Sequence, residues 1–224
     1  VEAMEKGEML PYDLMRKMAK TFGLASLARR ALKKTEREEA GGAQTEGAGE
    51  GSRGGGSDFA ADPLMGAIIG VELSRVCPGF TLAVGASVGL CGNTILSKGT
   101  PEQKKRWGIP VVTMEKVGCW GLTETEAGSD AFAMRTTALL DGDFYVLNGS
   151  KTFITNAPYA DVFVIYARVK SPTPDNPARE AIHAFILERG MPGLSTGQPF
   201  KKMGMHASPT GEIFMNDVRV PRAN

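Results

Sequence analysis

The chain has 224 residues, of which 42% are hydrophobic, and its 26 basic and 25 acidic residues leave a formal charge of +1. This length allows one large or two small domains with a real core. There is neither the basic excess that nucleic-acid binding needs nor an acidic tail. The three cysteines are odd in number and lack the spacing of a metal site or a disulfide framework, which indicates a reducing compartment.

The first quarter of the chain combines one helical segment with a low-complexity stretch. Apolar residues recur at helical spacing over 11–32, which predicts a helix whose first part ends at Gly23. Residues from about 36 to 60 are rich in glycine and predict a flexible insertion. Charged residues interrupt the first positions, so we expect no secretory leader. We therefore expect a cytoplasmic location, or the mitochondrial matrix if the source is eukaryotic.

Two further helices are predicted from their start signals. Asp62 and Pro63 form a cap followed by a first-turn proline, and the apolar positions after them predict an amphipathic to buried helix. Thr100 and Pro101 give the same signal for another helix. Residues 1–116 are therefore predicted to be an all-α N-terminal domain.

A helix is also predicted over residues 79–97, which are uncharged over a length that could cross a bilayer. Gly85 and Gly89 stand four residues apart, as in packed transmembrane helices. Polar residues such as Thr81 and Asn93 make the segment a poor span. We therefore expect no membrane span and favour a central buried helix whose glycines admit close neighbours.

From residue 117 onward the pattern changes to strands. Asp141 and Gly142 predict a turn between two of them, and the other strands are short runs rich in Val, Ile and Phe. Helices first and strands second imply two domains of different class. The predicted fold is therefore multidomain α and β, with an antiparallel β-barrel or sandwich as a middle domain over 117–224. The predicted strands cover residues 134–140, 144–147, 161–169, 181–187 and 212–218.

The most informative stretch is residues 119–130, which read C-W-G-L-T-E-T-E-A-G-S-D. An apolar, strand-compatible approach ends in a polar turn that small residues close. Gly128 lets the backbone approach a ligand, and Ser129 adds a hydroxyl, so the loop suits a phosphate or a flat polar ring. The alternative is an ordinary connection whose Ser and Asp side chains satisfy their own backbone.

A second stretch, residues 145–157, reads Y-V-L-N-G-S-K-T-F-I-T-N-A and is predicted to form a hairpin. Thr123 and Thr155 would stand at the ends of apolar strands, beside aromatic side chains, where a large planar cofactor could pack. The alternative is that both threonines are only good strand formers. The pair of stretches resembles the flavin-binding signature of the acyl-CoA dehydrogenases, T-E-P-x-A-G-S-D followed by N-G-x-K-x-[WF]-I-T-N. Thr125 departs from it, because the family usually has Pro there.

Two more segments carry the same resemblance. Residues 99–107, G-T-P-E-Q-K-K-R-W, resemble the family's G-T-x-E-Q-K-x-x-[YW]. Residues 201–221 resemble its K-x-G-x-R-x-S-x-T pattern and the following D-V-x-V-P. His206 stands where the family commonly has Arg. We interpret it as a surface or interface histidine, and contact with substrate or cofactor remains the alternative.

The resemblance implies an FAD site between the β domain and the helices. By position, Thr123 would meet the pyrimidine end of the flavin and Thr155 its N5 region. Ser129 would also lie near the substrate thioester. No metal is implied. The cofactor-binding residues implied by the resemblance are Trp120, Leu122, Thr123, Gly128, Ser129, Phe153, Ile154 and Thr155.

The activity that the resemblance implies is α,β-dehydrogenation of an acyl-CoA with hydride transfer to flavin N5. An electron-transfer flavoprotein is the implied acceptor, and a homo- or hetero-oligomer is the implied assembly. The family's catalytic base is a glutamate of a C-terminal helical domain that would follow Asn224. We therefore expect an incomplete chain and assign the base to none of its residues. Three alternatives remain open: an acyl-CoA oxidase, a flavin monooxygenase, and a non-catalytic partner subunit.

Overall fold

The computed structural model describes residues 1–23, 63–170 and 180–224. The predicted glycine-rich insertion, the second part of the first predicted helix and the Asp62 cap lie outside these described residues. Several helical segments in the described ranges are joined end to end. The helices are α1 (Glu2–Glu5), α2 (Tyr12–Thr21), α3 (Pro63–Val76), α4 (Pro78–Lys98, with a π-helical part Gly85–Gly92) and α5, which is made of Pro101–Gln103, π-helical Lys104–Gly108 and Ile109–Val112.

Strands replace helices after α5. Two short 3₁₀ turns, Ala131–Ala133 and Ala157–Tyr159, lie between them. The strands of the described residues are β1 (Gly118–Gly121), β2 (Thr137–Asp141), β3 (Phe144–Thr155), β4 (Val162–Lys170), β5 (Glu180–Glu188), β6 (Leu194–Thr196) and β7 (Thr210–Pro221).

These strands form one curled, mixed sheet in the order β1-β4-β2-β3-β7-β6. β5 lies off this path and also pairs with β4. The predicted N-terminal helical part and strand-rich second part are present, but the predicted antiparallel barrel or sandwich is only partly right, because the sheet is a curled, mixed half-barrel. Both β1 and β2 run parallel to β4. The reason is that the chain between β1 and β4 contains the whole β2–β3 hairpin, which is long enough for a crossover.

The curl of the sheet brings β1 over β3 and β7. A Cβ added to Gly121 would lie 3.4 Å from Lys151 Cγ and 3.5 Å from Ile213 Cδ1. The sheet core between them is aliphatic and fully buried, with residues such as Leu147 and Ile165 at its centre. The loop that follows β1 is therefore held against Lys151 and Thr152 in the second half of β3.

One predicted turn is absent. Residues 145–157 were expected to be a hairpin, but β3 continues through Asn148 and Gly149 as a single strand. The ladder with β7 shifts register there, between Leu147 and Gly149, and Gly149 has φ +142°. An added Cβ at Gly149 would lie 2.6 Å from Thr136 Oγ1. The N-G pair therefore forms a bulge that admits Thr136, because glycine alone fits this close approach.

The helix boundaries agree with the local signals. α2 ends at Thr21, and Gly23 has φ +64° and donates its amide hydrogen to the Lys20 carbonyl. Thr100 Oγ1 accepts from the Gln103 amide at 3.2 Å, and Gln103 Oε1 accepts from the Thr100 amide at 2.9 Å. This reciprocal capping box fixes the start of α5.

The apolar side chains of α3 are more exposed than the sequence predicts. Leu64, Val71 and Val76 are exposed to 66%, 60% and 63%. Leu73 packs against the core that α2 and α4 share. Of the predicted range from amphipathic to buried, the amphipathic end fits α3, because the side that carries Leu73 meets the other described helices and most of its remaining apolar side chains are exposed.

The long helix α4 has a mean hydropathy of 1.4 over its most apolar stretch and could cross a membrane by length and composition alone. In the protein it packs along β1, and 44% of that stretch is buried. Gly92 gives the predicted close approach, since an added Cβ would lie 2.6 Å from Val112 Cγ1. Gly85 and Gly89 face open space in the part of the chain that the structure describes. The close contact is therefore at Gly92 and not at the predicted pair.

Candidate functional site

The loop after β1 is closed by its own backbone. The Glu124 amide donates to the Ala127 carbonyl at 3.0 Å, and the Ala127 amide donates back at 3.2 Å. Thr125 and Glu126 form the exposed tip between them. Thr125, which stands where proline is usual in the family pattern, is therefore at a position where either residue can be solvated. This departure leaves the loop closed.

A buried ion pair joins this loop to β3. Lys151 Nζ lies 2.7 Å from Glu124 Oε1 and donates to the Leu122 carbonyl at 3.1 Å. The side chains are 0% and 8% exposed. The Thr152 amide also donates to the Thr123 carbonyl at 3.0 Å. The two sequence segments that predicted a common site are thus bonded to each other.

Hydrogen bonds hold the Glu124 carboxylate in its charged form. It accepts from the Arg135 amide at 2.6 Å, the Thr136 amide at 3.0 Å and Thr136 Oγ1 at 2.5 Å. Burial alone would raise the pKa of Glu124, but the bonds from Lys151, Thr136 and the Arg135 amide outweigh it and lower the pKa below its ordinary value. Burial lowers the pKa of Lys151, and the Glu124 carboxylate opposes that shift.

Sequence reasoning missed this pair. It assigned roles to the hydroxyls and glycines of the two motifs and left their Glu and Lys without one. The signal was present, because Glu124 lies in the first motif and Lys151 in the second, and charges inside apolar strands are seldom unpaired. Their role is to position the loop.

The predicted cofactor residues lie along the junction that this pair creates. Leu122 and Thr123 are half-buried just after β1. At the end of β3, Ile154 is 4% exposed and Thr155 is half-buried. The Thr123 carbonyl accepts from the Thr152 amide. Thr152 is three residues before Thr155, which is roughly 10 Å along a strand. The two threonines therefore lie along the same stretch of β3 at opposite ends of β1: Thr123 is beside Thr152, and Thr155 precedes Asn156, which donates to the Gly118 carbonyl.

The two predicted aromatic residues lie in different surroundings. Trp120 packs edge-on against Tyr166, with ring centroids 5.1 Å apart, in the core between the sheet and α4. Phe153 is 69% exposed, has φ +57° and contacts the Phe200 ring at 5.5 Å. No contact joins Trp120 to Phe153 among the described residues. They therefore border two separate parts of the junction.

Several polar groups at this junction have no partner among the residues that the structure describes. The hydroxyls of Thr123, Ser129 and Thr155, and the amides of Gly128 and Ser129, make no hydrogen bond within the described ranges. Trp120 Nε1 is buried and has no acceptor there. Gly128 is exposed, and an added Cβ would meet nothing within 4 Å. These donors suit a flat heteroaromatic ring with a diphosphate tail, so the residues present fit FAD.

Asn156, which ends the second motif, ties the sheet to the helices. It is fully buried with φ +69° and donates to the Ala83 carbonyl at 2.9 Å and the Gly118 carbonyl at 3.3 Å. Its Oδ1 accepts from the Tyr12 hydroxyl at 3.2 Å, and burial raises the pKa of that phenol. Sequence reasoning gave Asn156 no role, although asparagine in a motif after a strand is typical of a left-handed turn.

Among the residues that the structure describes, no group of His, Cys, Asp or Glu side chains could hold a metal ion. Cys77, Cys91 and Cys119 are buried free thiols. The candidate site is therefore built from hydroxyls, amides and apolar walls.

Comparison with known proteins gives consistent matches. Residues 1–115 match the family described as acyl-CoA dehydrogenase, N-terminal domain, and residues 119–218 match acyl-CoA dehydrogenase, middle domain. The short-chain-specific acyl-CoA dehydrogenase of Clostridium acetobutylicum is 43% identical over 74% of this chain and 43% of its own length. The chain thus spans less than half the length of that relative.

Solved structures agree. The acyl-CoA dehydrogenase of Geobacillus kaustophilus is 32% identical with a TM-score of 0.74, covering 100% of this chain and 52% of that one. A glutaryl-CoA dehydrogenase from Mycobacterium smegmatis in complex with FADH2 is 31% identical with a TM-score of 0.65, covering 71% and 39%. The chain therefore belongs to the acyl-CoA dehydrogenase family and contains its N-terminal and middle domains.

Proposed function

We propose that the whole protein is an FAD-dependent acyl-CoA dehydrogenase and that this chain supplies its flavin-binding part. The observation that supports this most directly is the buried pair Glu124–Lys151, which joins the two motif segments. The same junction leaves the Thr123, Ser129 and Thr155 hydroxyls without partners in the described ranges. FAD, when bound, supplies the hydride acceptor for α,β-dehydrogenation of an acyl-CoA thioester.

Each residue of the junction then has a binding role. When FAD is bound, Thr123 would meet the pyrimidine end of the ring system, and Thr155 would meet its N5 region. The Gly128 and Ser129 amides would hold the diphosphate, and the Ser129 hydroxyl would also lie near the thioester end of the substrate. The remaining predicted residues would form the apolar surroundings of the flavin ring and exclude water from it: Trp120, Leu122, Phe153 and Ile154. None of the residues of this chain is proposed as the base.

The partners follow from the same proposal. An acyl-CoA is the substrate, an electron-transfer flavoprotein is the acceptor, and the whole protein is a homo- or hetero-oligomer. We propose a cytoplasmic location, or the mitochondrial matrix if the source is eukaryotic. No membrane span is proposed, since α4 packs against β1 and α5.

The experiment is reconstitution with FAD. Wild-type protein is expected to turn yellow with a two-band flavin spectrum. Thr123→Val and Thr155→Val each remove one hydroxyl, and each should weaken FAD binding roughly 3- to 10-fold. Thr196→Val, in β6, is the matched control and should bind as wild type does. Colourless protein that FAD cannot load would refute the proposal.

A second measurement separates a dehydrogenase from an oxidase. A short-chain acyl-CoA is mixed anaerobically with the loaded whole protein, because no residue of this chain is proposed as the base. A short chain is chosen because the Clostridium acetobutylicum relative is named short-chain specific. Bleaching of the flavin followed by slow reoxidation in air is expected. Rapid reoxidation would replace the dehydrogenase with an acyl-CoA oxidase, and bound FAD that no acyl-CoA bleaches would favour a partner subunit.

A further inference from the structure

A cleft of about 320 Å³ lies between α1 and the segment 199–209, which precedes β7. Lys6, Lys201, Lys202 and His206 line it, and no acidic side chain is among its lining residues. The cleft contains none of the predicted flavin residues. It is therefore a separate site of uniformly basic character.

His206 lies at this cleft with both ring nitrogens close to backbone carbonyl oxygens. Its Nδ1 lies 2.7 Å from the Glu5 carbonyl oxygen, and its Nε2 lies 2.7 Å from the Lys202 carbonyl oxygen. A carbonyl oxygen can only accept, so both ring nitrogens must carry hydrogen, which is the imidazolium form. The bonds to the Lys202 and Glu5 carbonyls raise the pKa of His206, in agreement with that geometry.

The next two lysines differ in their partners: Lys202 is held by hydrogen bonds, and Lys201 is exposed. The Lys202 ammonium donates to the Met205 carbonyl, the Ser208 carbonyl and Thr210 Oγ1, at 3.0, 2.6 and 3.1 Å. Lys201 is exposed and makes no hydrogen bond or ion pair within the described ranges.

The ammonium of Lys6 is paired, but only weakly. Its partner Glu2 lies at 2.7 Å, and the two side chains are 57% and 83% exposed. Such a pair is worth little in water, so Lys6 can turn to a better anion. Two exposed lysines, Lys6 and Lys201, thus line the same cleft as Lys202 and His206, whose side chains are held by backbone bonds.

The walls of the cleft also offer flat apolar surface. Phe200 and Tyr159 both line it. Phe200 is held by Phe153 at 5.5 Å, and Tyr159 by Tyr12 at 5.8 Å, so neither ring needs to be ordered by a ligand.

We propose that this cleft binds a small phosphate-bearing molecule that also carries a flat ring. A phosphate monoester dianion matches several like charges better than a carboxylate does. Lys6 and Lys201 can donate hydrogen bonds to it, whereas Lys202 and His206, whose N–H groups are already bonded, attract it through charge alone. The ring rests on Phe200 and Tyr159. The volume is at the lower end of the range for small-molecule sites, which limits the ligand to about one ring and one phosphate group.

The test uses phenyl phosphate as the probe and flavin-loaded protein, followed by calorimetric titration. We expect saturable one-to-one binding that weakens as NaCl is raised. The double variant Lys6→Gln/Lys201→Gln should weaken binding at least roughly tenfold, since two charge-assisted contacts are lost. The matched control Lys98→Gln/Lys105→Gln removes two exposed lysines elsewhere and should leave binding unchanged.

Inorganic phosphate in a parallel titration should bind more weakly than phenyl phosphate. No saturable binding, or equal effects of the two lysine pairs, would overturn the site, and equal affinity for both probes would overturn the role of the rings. The melting temperatures of both double variants establish that they fold. Protein that cannot be loaded with FAD is titrated as purified, so that failure of the flavin proposal and failure of this one are told apart.

Discussion

Two polar junctions in this protein join distant parts of the chain by opposite means. The Glu124–Lys151 junction lies inside the sheet, and its two charges are 8% and 0% exposed. The His206 junction lies at the surface, where one charged ring bridges the carbonyls of Glu5 and Lys202. The first ties two segments of the β part together, and the second ties α1 to the β part.

The two junctions differ in whether water can replace a lost partner. If one charge of the buried pair is removed, the other stays buried without a partner and cannot reach water. Breaking the pair therefore costs much of the desolvation energy of the remaining charge. When His206 loses a proton, water can replace the lost bond. A buried pair therefore fixes structure under all mild conditions, whereas the exposed bridge depends on pH.

Lys151→Met should have the largest effect. It leaves the Glu124 carboxylate buried beside Leu122 without its cation, and we expect the free energy of unfolding to fall by about 3–5 kcal/mol. Chemical denaturation at pH 7 measures this. The matched control is Arg219→Met, which breaks the exposed pair of Arg219 with Asp141 and should cost about 0–1 kcal/mol.

The stability that the Glu124–Lys151 pair contributes should also depend on pH. Because the folded-state pKa of Glu124 is lowered, its contribution is present above its unfolded pKa and is lost as pH falls through the folded pKa. The double variant Glu124→Gln/Lys151→Met removes both charges and should recover part of the loss. Equal costs for Lys151→Met and Arg219→Met would contradict a structural role for the buried pair.

Asn156 tests a junction that is buried but neutral. Asn156→Gly removes its bonds to the Ala83 and Gly118 carbonyls and should cost about 2–3 kcal/mol, since buried acceptors lose their donors. Asn156→Ala should cost about 1 kcal/mol more, because φ +69° disfavours a residue with a Cβ. Thermal and denaturant unfolding measure both. If Gly and Ala variants unfold alike, the backbone conformation of Asn156 contributes nothing.

Tyr12→Phe gives a smaller step at the same place. It removes the hydroxyl that donates to Asn156 Oδ1 and should lower the free energy of unfolding by about 1 kcal/mol. Tyr145→Phe is the matched control, because Tyr145 is half-buried against Phe185 and its hydroxyl makes no hydrogen bond in the described ranges. In the Asn156→Gly background, Tyr12→Phe should cost much less. An unchanged cost there would mean that the two residues act independently.

The sequence predicted the helix starts and most strands because their signals are local. The Thr100 cap and the Gly23 end depend on the few residues around them, and both appear as expected. The predicted hairpin failed at Gly149, because N-G is also typical of a bulge and only the position of Thr136 decides between them. Contacts of this kind join segments that are distant in sequence.

The candidate site likewise has features that the sequence predicts and features that it does not. Its motif residues could be found from the sequence, because they recur in a pattern at fixed spacing. Their mutual arrangement could not, since it depends on β1 crossing to pair with β4 and on Lys151 reaching Leu122 and Glu124. The exposure of α3 was missed for a related reason: helical periodicity shows which face is apolar and not what covers it.

The exposed junction makes the smallest and most conditional prediction. The folded-state pKa of His206 lies above its ordinary value near 6.5, so its stabilisation is fully present below that value and is lost as pH rises through the folded-state pKa. The facing cations of Lys6, Lys201 and Lys202 oppose the charge, and the Glu5 carboxylate, which accepts from Cys77 at 2.6 Å, favours it. Wild type should therefore exceed His206→Gln in stability most at acidic pH, and amide exchange in α1 should quicken as pH rises beyond the intrinsic trend. His183→Gln, which removes a ring stacked on Phe185 and no bridge to α1, is the matched control. A wild-type advantage over His206→Gln that does not change with pH would mean that His206 bridges by shape alone.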